Sequence, residues 1–467
     1  MMKTTLRTAV VLLLGICLPS PAPAKPYNLG EILDLARKGN PGLAASARAT
    51  AGIEAQLLVA KRSWMPTGEL NSMLAQAPRI RCYDENLNRD EYNCVRTDAV
   101  GYDASGFVNA ITPRGVFTRT EIKLALPVYT FGKISAGVAA AESGVKASQN
   151  REVGLVADLE LNVRRTYWGA KLARGVLETL REGSDYLDQA QKKIDQELAD
   201  GSGDATVTDR LRLRTVRAEL DARMLEAKRM GDLARSGLRA LIGPEAPPDL
   251  EVDEAGLEAL SIPPHPLSDF REAALRSRPE VKALEYLVAS KRALADLERR
   301  RQYPDVVLMG SAAYAYASSV DTPRNSFANN PFHTMGAGLA AGFRMPLDLG
   351  VRNAQATKLQ AEADEAEQKR REALAGIWFE VEKAYTELKE AEERMEAVRK
   401  GEKAGRQWIV AVAQNMAVGL SEARQFSDAL AAFFQARIRS MQSIYDYNVA
   451  AATLARATGV DVAASSP

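Results

Sequence analysis

The chain has 467 residues, 61 Lys and Arg against 60 Asp and Glu, and a formal net charge of +1. That balance gives no electrostatic reason for a nucleic-acid partner, and none is expected. Aromatic residues are only 6% of the chain and alanine is abundant, which suits close helix packing better than one large globular core.

Residues 1–24 read as a secretory signal. Lys3 and Arg7 supply the charged start, Ala9 to Leu18 the apolar run, and Ala22-Pro23-Ala24 the small residues for cleavage, so the mature chain begins at Lys25. Cys17 raises lipidation as an alternative, but the bulky Ile16 stands where such signals carry a small side chain. Beyond the signal no stretch approaches about 18 uninterrupted apolar residues, so any membrane span must be built of strands.

In chain order, Leu29, Ile32, Leu33 and Ala36 mark one face of a helix within residues 28–64, interrupted at Asn40-Pro41 and stopped at Trp64-Met65-Pro66. Residues 67–77 form a weakly patterned strand. From 116 to 128 the alternation is clear. Val116, Thr118, Thr120, Ile122, Leu124, Leu126 and Val128 face one way, and Phe117, Arg119, Glu121, Lys123 and Ala125 the other. Apolar-out and polar-in over this length fits a membrane strand, which needs roughly 9–11 residues.

The polar loop 78–115 between these strands holds Cys82 and Cys94. In an exported chain a disulfide is the natural reading, worth roughly 3 kcal/mol by loop entropy. A metal site with Asp84, Glu85, Asp90 and Glu91 competes poorly, because no histidine is near and the spacing fits no standard site. Tyr314, Tyr316, Phe117 and Tyr129 are candidates for interfacial aromatic belts, with packing inside a barrel or at its lower rim as the alternative for Phe117 and Tyr129.

After the phrase Leu126-Pro127-Val128-Tyr129-Thr130-Phe131-Gly132, a proline-free helix is expected over 133–200. Its seam, Val156, Leu159, Val163, Thr166, Ala170, Ala173, Leu177, Leu180, Ser184, Leu187, Gln191, Ile194 and Leu198, alternates steps of three and four residues, as in helices packed along their length. A return helix follows over 208–241, ending at Gly243, and residues 243–266 with six prolines form a linker. The pattern then repeats. Leu267, Ala274, Pro279 and Pro304 stand 238 positions after Leu29, Ala36, Pro41 and Pro66. Strands are expected at 305–320 and 334–347, a long helix at 351–418 and a return helix at 422–458. The second seam, from Ile377 to Met416, lies 218 positions after the first. The chain therefore reads as two copies, 25–242 and 267–467.

A helix of this length reaches roughly 100 Å, far more than the about 30 Å of a bilayer core. Its flanks carry charges such as Arg164-Arg165 and Arg370-Arg371-Glu372, so it stands in water. One chain supplies four strands, too few to close a barrel, and open edges are not tolerated in lipid. Closure requires two, three or four chains, a number the repeat alone does not choose.

The tandem repeat resembles the TolC family of outer-membrane efflux proteins. So do Trp64-Met65-Pro66 and Tyr303-Pro304 before the first strands, the Leu-Pro to Phe-Gly phrase at 126–132, and Ala417-Val418-Gly419-Leu420 followed by Ser427-Asp428-Ala429. The resemblance implies a mainly α fold with a membrane β-barrel. Three chains would form a homotrimeric twelve-stranded barrel in outer-membrane lipid, continued by a periplasmic α-helical barrel. It implies a passive duct without a cofactor, docked to a periplasmic adaptor (membrane fusion) protein and an inner-membrane pump. It assigns adaptor contact to the tips Asp200, Gly201, Ser202, Gly203, Val418, Gly419, Leu420 and Ser421. The periplasmic gate falls to Asp428, with Gln425 one turn earlier where relatives are often acidic. Asp204 and Asp209 are weaker gate candidates.

No catalytic constellation, metal-ligand spacing or phosphate-binding loop is present, and both histidines, His265 and His333, stand alone. The rival to a duct is a periplasmic coiled-coil structural or adaptor protein without a barrel.

Overall fold

A computed structural model describes residues 26–78, 80–91, 96–97, 113–201, 206–322, 331–417 and 423–460. The signal segment, Cys94 and six of the expected tip residues, Ser202, Gly203 and Val418 to Ser421, lie outside the described residues.

Helices α1 (Leu29–Gly39) and α2 (Pro41–Arg62) open the chain. A capping box starts α1, with Asn28 accepting from the Glu31 N–H and Glu31 accepting from the Asn28 N–H. Pro41 ends α1 as expected, and Asn40 caps the next helix through the Gly42 and Leu43 N–H groups.

Strand β1 (Thr67–Pro78), the short strands β2 (Cys82–Tyr83) and β3 (Arg96–Thr97), and strand β4 (Pro113–Tyr129) follow. Then come α3 (Lys133–Asp200), α4 (Val207–Ile242), α5 (Leu267–Ser277) and α6 (Pro279–Arg300). The second half continues with β5 (Asp305–Ala317), β6 (Thr334–Arg344), α7 (Leu349–Ala417) and α8 (Ala423–Thr458). Strands β5 and β6 stop three residues short of the expected 320 and 347, because Ser318–Ser319 turn and Pro346 offers no N–H.

The turns that lead into the two long helices differ. Phe131 and Gly132 take φ of 50° and 80°, and a Cβ on Gly132 would fall 2.3 Å from an Arg300 guanidinium nitrogen. Gly132 thus frees the turn. Gly350 is instead the second residue of α7, so the helix starts at Leu349 rather than at 351. The glycine makes no turn there.

The described residues fall into two compact units. One comprises Ala49–Asn150 and Lys282–Glu372 and contains the four-stranded sheet. The other comprises the described parts of Met1–Arg48, Arg151–Val281 and Ala373–Pro467. The helical unit has two apolar clusters. In the first, Ile32, Leu33 and Ala36 of α1 meet Leu159, Val163, Tyr167, Trp168 and Ala170 of α3, and Leu238 and Ile242 of α4. In the second, Phe270 and Ala274 of α5 meet Ile377, Val381, Ala384, Leu388, Ala391 and Met395 of α7, and Tyr447, Ala451 and Leu454 of α8. The heptad seams supply these clusters, and each fully buried Leu, Ile or Val adds about 1.5–3 kcal/mol. Tyr167, Trp168, Leu172 and Thr179 are buried off the seam, so α3 is covered over a wider arc than a two-helix contact gives.

The proline-rich linker is held against this unit. Tyr27 pairs in parallel with Val252. Fully buried Asn448 accepts from the Leu260 N–H at 2.9 Å and donates to the Glu258 carbonyl at 2.7 Å, taking the place of a neighbouring strand. Asp253 receives the Tyr167 hydroxyl and the Lys171 ammonium, and Arg174 donates to the carbonyls of Val252 and Asp253. Burial alone would raise the Asp253 carboxyl, but the Lys171 and Tyr167 hydrogen bonds hold it below the usual range.

Candidate functional site: a two-faced sheet, a loop clasp and the helix ends

The sheet runs in the order β1-β4-β5-β6, all antiparallel. The order leaves one side of β1 and one side of β6 without a partner strand among the described residues. Register assigns each side chain to a face, since opposed residues share it. One face carries Leu70, Ile122, Ala312 and Ala337 at one level and Gly68, Leu124, Gly310 and Leu339 at the next. Leu74, Tyr314, Tyr316, Met335 and Phe343 continue it. Met335, Leu339 and Phe343 are 90%, 84% and 78% exposed. A soluble chain does not leave such an area bare, and this one fits lipid.

The opposite face has a different chemistry. Its successive levels read Met73-Arg119-Ala315-Thr334, Asn71-Glu121-Ala313-Gly336 and Glu69-Lys123-Ser311-Gly338. Charge gathers on β1 and β4, and small residues line β5 and β6. The polar-in, apolar-out alternation expected over 116–128 is thus present, and β1, weakly patterned in sequence, adopts it through pairing.

At the end of β4, Tyr129 and Phe131 meet edge-on at 4.7 Å and Phe131 stacks on Tyr303 at 6.0 Å. Lys133 donates to the Tyr303 carbonyl and pairs with Asp305 at 2.8 Å. Tyr129 is thereby a collar residue. Phe117 is a packing residue, edge-on to Phe332 at 5.7 Å.

At the other end of the sheet the loops after β1 and β5 are joined. Ile80 N–H donates to the Ser319 carbonyl at 3.0 Å, and Asp321 N–H to the Ile80 carbonyl at 2.9 Å. The Asp321 side chain, only 2% exposed, accepts from Arg81 at 2.5 Å, from Arg89 at 3.0 and 2.7 Å, and from the Cys82 N–H at 3.2 Å. Burial would raise this carboxyl, but the Arg89 and Arg81 bonds and the Cys82 N–H hold it below the usual range. Cys82 is fully buried and disulfide-bonded, while its expected partner Cys94 lies outside the described residues. Sequence reasoning missed the Asp321 clasp. Its acceptor and donors lie more than 230 positions apart, and no local pattern announces them.

Of the residues expected at a gate and at the tips, Asp428 lies on the first turns of α8, exposed, with Arg212 of α4 at 4.0 Å. Gln425, one turn earlier, is exposed. Asp209 is a capping residue, accepting from the Thr206 hydroxyl and N–H and donating its own N–H to the Thr206 hydroxyl. Those bonds hold its carboxyl below the usual range. Asp200 ends α3, and Gly201 turns the chain at φ 61° with open space around it. Among the described residues no group of three or more His, Cys, Asp or Glu is arranged to hold a metal ion, and no helix is long and apolar enough to cross a membrane.

A four-stranded sheet with one lipid-suited face, joined to 68- and 69-residue helices, is the protomer fold of outer-membrane channels. The chain superposes on the Campylobacter jejuni CmeC outer-membrane channel with a TM-score of 0.72 and 17% identity, over 93% of this chain and 86% of that one. It matches the outer-membrane channel OprN with a TM-score of 0.71 and 16% identity, over 93% and 90%.

Residues 271–460 match the family described as outer membrane efflux protein. Over 192 residues the chain is 26% identical to the cobalt-zinc-cadmium resistance protein CzcC of Cupriavidus metallidurans, a match spanning 41% of this chain and 45% of that relative. Residues 271–460 thus resemble the outer membrane efflux proteins, and the fold of the chain is that of solved outer-membrane channels.

Proposed function

We propose that this chain is the exit duct of a tripartite efflux or type I secretion system, conducting cargo passively across the periplasm and outer membrane. The carrying observation is the sheet, with both edges unpaired among the described residues and one apolar face bare. Backbone edges in lipid cost several kcal/mol per unsatisfied group, so β6 of one copy must pair with β1 of the next until the sheet closes. Three copies bring three times four strands, a twelve-stranded barrel with a lumen. The matched lengths of α1 and α5 (11 residues), α2 and α6 (22) and α4 and α8 (36) support an internal duplication, in which the paired long helices wall a tube.

In this reading the chain selects little and the pump behind it selects much. Asp200 and Gly201, with the residues following them and those at 418–421, meet the periplasmic adaptor. Asp428 and Gln425 line the periplasmic entrance. There, three aspartates at a three-fold constriction repel one another and attract cations, with Arg212 beside each to moderate the field. Work of this kind is conduction rather than catalysis.

A cysteine placed in the loop 321–333 tests the duct against the barrel-less periplasmic rival. A membrane-impermeant thiol reagent labels it on intact cells if the hairpins cross the outer membrane. Protection until the outer membrane is broken, or recovery of the mature protein as a soluble periplasmic monomer, sinks the duct. The expected form is a heat-modifiable trimer that makes conducting pores.

A further inference from the structure

The bare apolar face of the sheet fixes what the other face must do. Ile122, Leu70, Ala312 and Ala337 share one level of the apolar face, at the middle of β4. The charges at neighbouring positions of that strand, Arg119, Glu121 and Lys123, therefore stand at mid-membrane depth. A charge there is tolerated only toward water, which places them in the lumen.

Two features set these residues apart from a generally polar lining. First, they are concentrated. Over the three levels from Met73 to Gly338, every charge lies on β1 or β4, while β5 and β6 contribute Ala315, Ala313, Ser311, Thr334, Gly336 and Gly338. The short neighbours leave the long side chains room to extend into the bore. Second, they are ordered by sign. Glu121 is held 3.1 Å from Lys123 and 3.7 Å from Arg119 and is 24% exposed, whereas Arg119 and Lys123 are 50% and 59% exposed. The anion is sheltered between two cations that reach out, and Glu69 stands opposite Lys123 to complete the balance.

We infer that Glu121, with Arg119 and Lys123, is the charge-determining rib of the barrel lumen, one rib per protomer. It keeps the outer passage open to solutes of either sign by near-cancellation of charge. The inference rests on the duct reading, because the inner face is a lumen only if the sheet closes into a barrel. Its physical content is a field that is balanced and local. Removing the sheltered anion leaves two cations against Glu69 and favours anions. Removing both cations leaves Glu121 and Glu69 and favours cations. Salt screens the effect, since the Debye length falls from about 10 Å at 0.1 M to about 3 Å at 1 M.

The test is the reversal potential of the purified full-length oligomer in planar bilayers under a KCl gradient, compared among wild type, Glu121→Gln and the double variant Arg119→Gln/Lys123→Gln. At 0.1 M salt the permeability ratio should move about twofold or more in opposite directions for the two variants, and the shifts should shrink at 1 M. To guard against misfolding, Ser311→Cys at the level of Lys123 replaces one small side chain by another. Modification with a cationic or an anionic thiol reagent should then shift the reversal potential in opposite senses. Conducting pores whose reversal potential is the same in all variants, before and after modification, overturn the rib and leave the duct standing. Wild-type protein that forms no pore overturns the duct, and the rib with it.

Discussion

The two hairpins of the sheet are built on one plan and carry different loads. β1–β4 holds the charged inner levels, and its loop reaches across to the far end of β5. Over the three levels from Met73 to Gly338, β5–β6 presents only Ala, Ser, Gly and Thr on that face, and the opposite face carries Leu339 and Met335, which are almost bare. The difference shows that a duplicated hairpin need keep only its outer face. In the proposed duct, lipid imposes the same demand on both copies while a water-filled bore tolerates nearly any residue, so chemistry can collect on one copy.

The sharpest break of that comparison is a charge on the lipid face of the plain hairpin. Leu339→Arg should cost about 2–4 kcal/mol in each copy near the bilayer midplane, and the heat-modifiable oligomer should be lost from outer-membrane fractions. Ala340→Arg, one residue along on the inner face, should retain it. Similar loss in both would mean that the faces are not distinguished by lipid.

The next largest effect concerns the loop that links the hairpins. Asp321→Ala leaves Arg81 and Arg89 without their buried acceptor and should cost about 3 kcal/mol, seen as faster protease cleavage within 80–91 on intact cells. The folded Asp321 carboxyl titrates below its unfolded value of about 3.9. Its contribution is therefore present above that pH and is lost as pH falls through the folded value. Wild-type loops should become protease-sensitive only in acid below about pH 4, and the variant should lack that transition.

In the helical unit the corresponding clamp is Asp253. Tyr167→Phe removes one of its donors while Lys171 remains, so a loss of about 1 kcal/mol in denaturant stability is expected. An unchanged midpoint would mean that the linker does not depend on this bond. The smallest effect is expected at the proposed gate. Asp428→Ala should raise conductance or weaken block by multivalent cations by less than a lone aspartate ring would, because Arg212 already shares its field. Unchanged conductance and block would remove Asp428 from the gate.

Local pattern in the sequence located the long helices and their seams, the breaks at Pro41 and Pro66, the alternation of β4, and β1, β5 and β6 to within three residues, but not the short strands β2 and β3. These depend on period, proline and glycine, which act within a few residues of where they stand. Gly132 illustrates this local legibility, and Gly350 illustrates its limit, since the glycine that follows the second hairpin lies inside the first turn of a helix. Tertiary structure alone decided that β4 lies between β1 and β5, that Asp321 clasps a loop from the first hairpin, that Asn448 and Asp253 bind the linker down, and that Arg212 stands beside Asp428. These contacts join residues as many as 240 positions apart. Each side chain taken alone has the polarity of an ordinary surface group. What makes it specific is burial beside a partner, a property that arises only when distant stretches of chain share one volume.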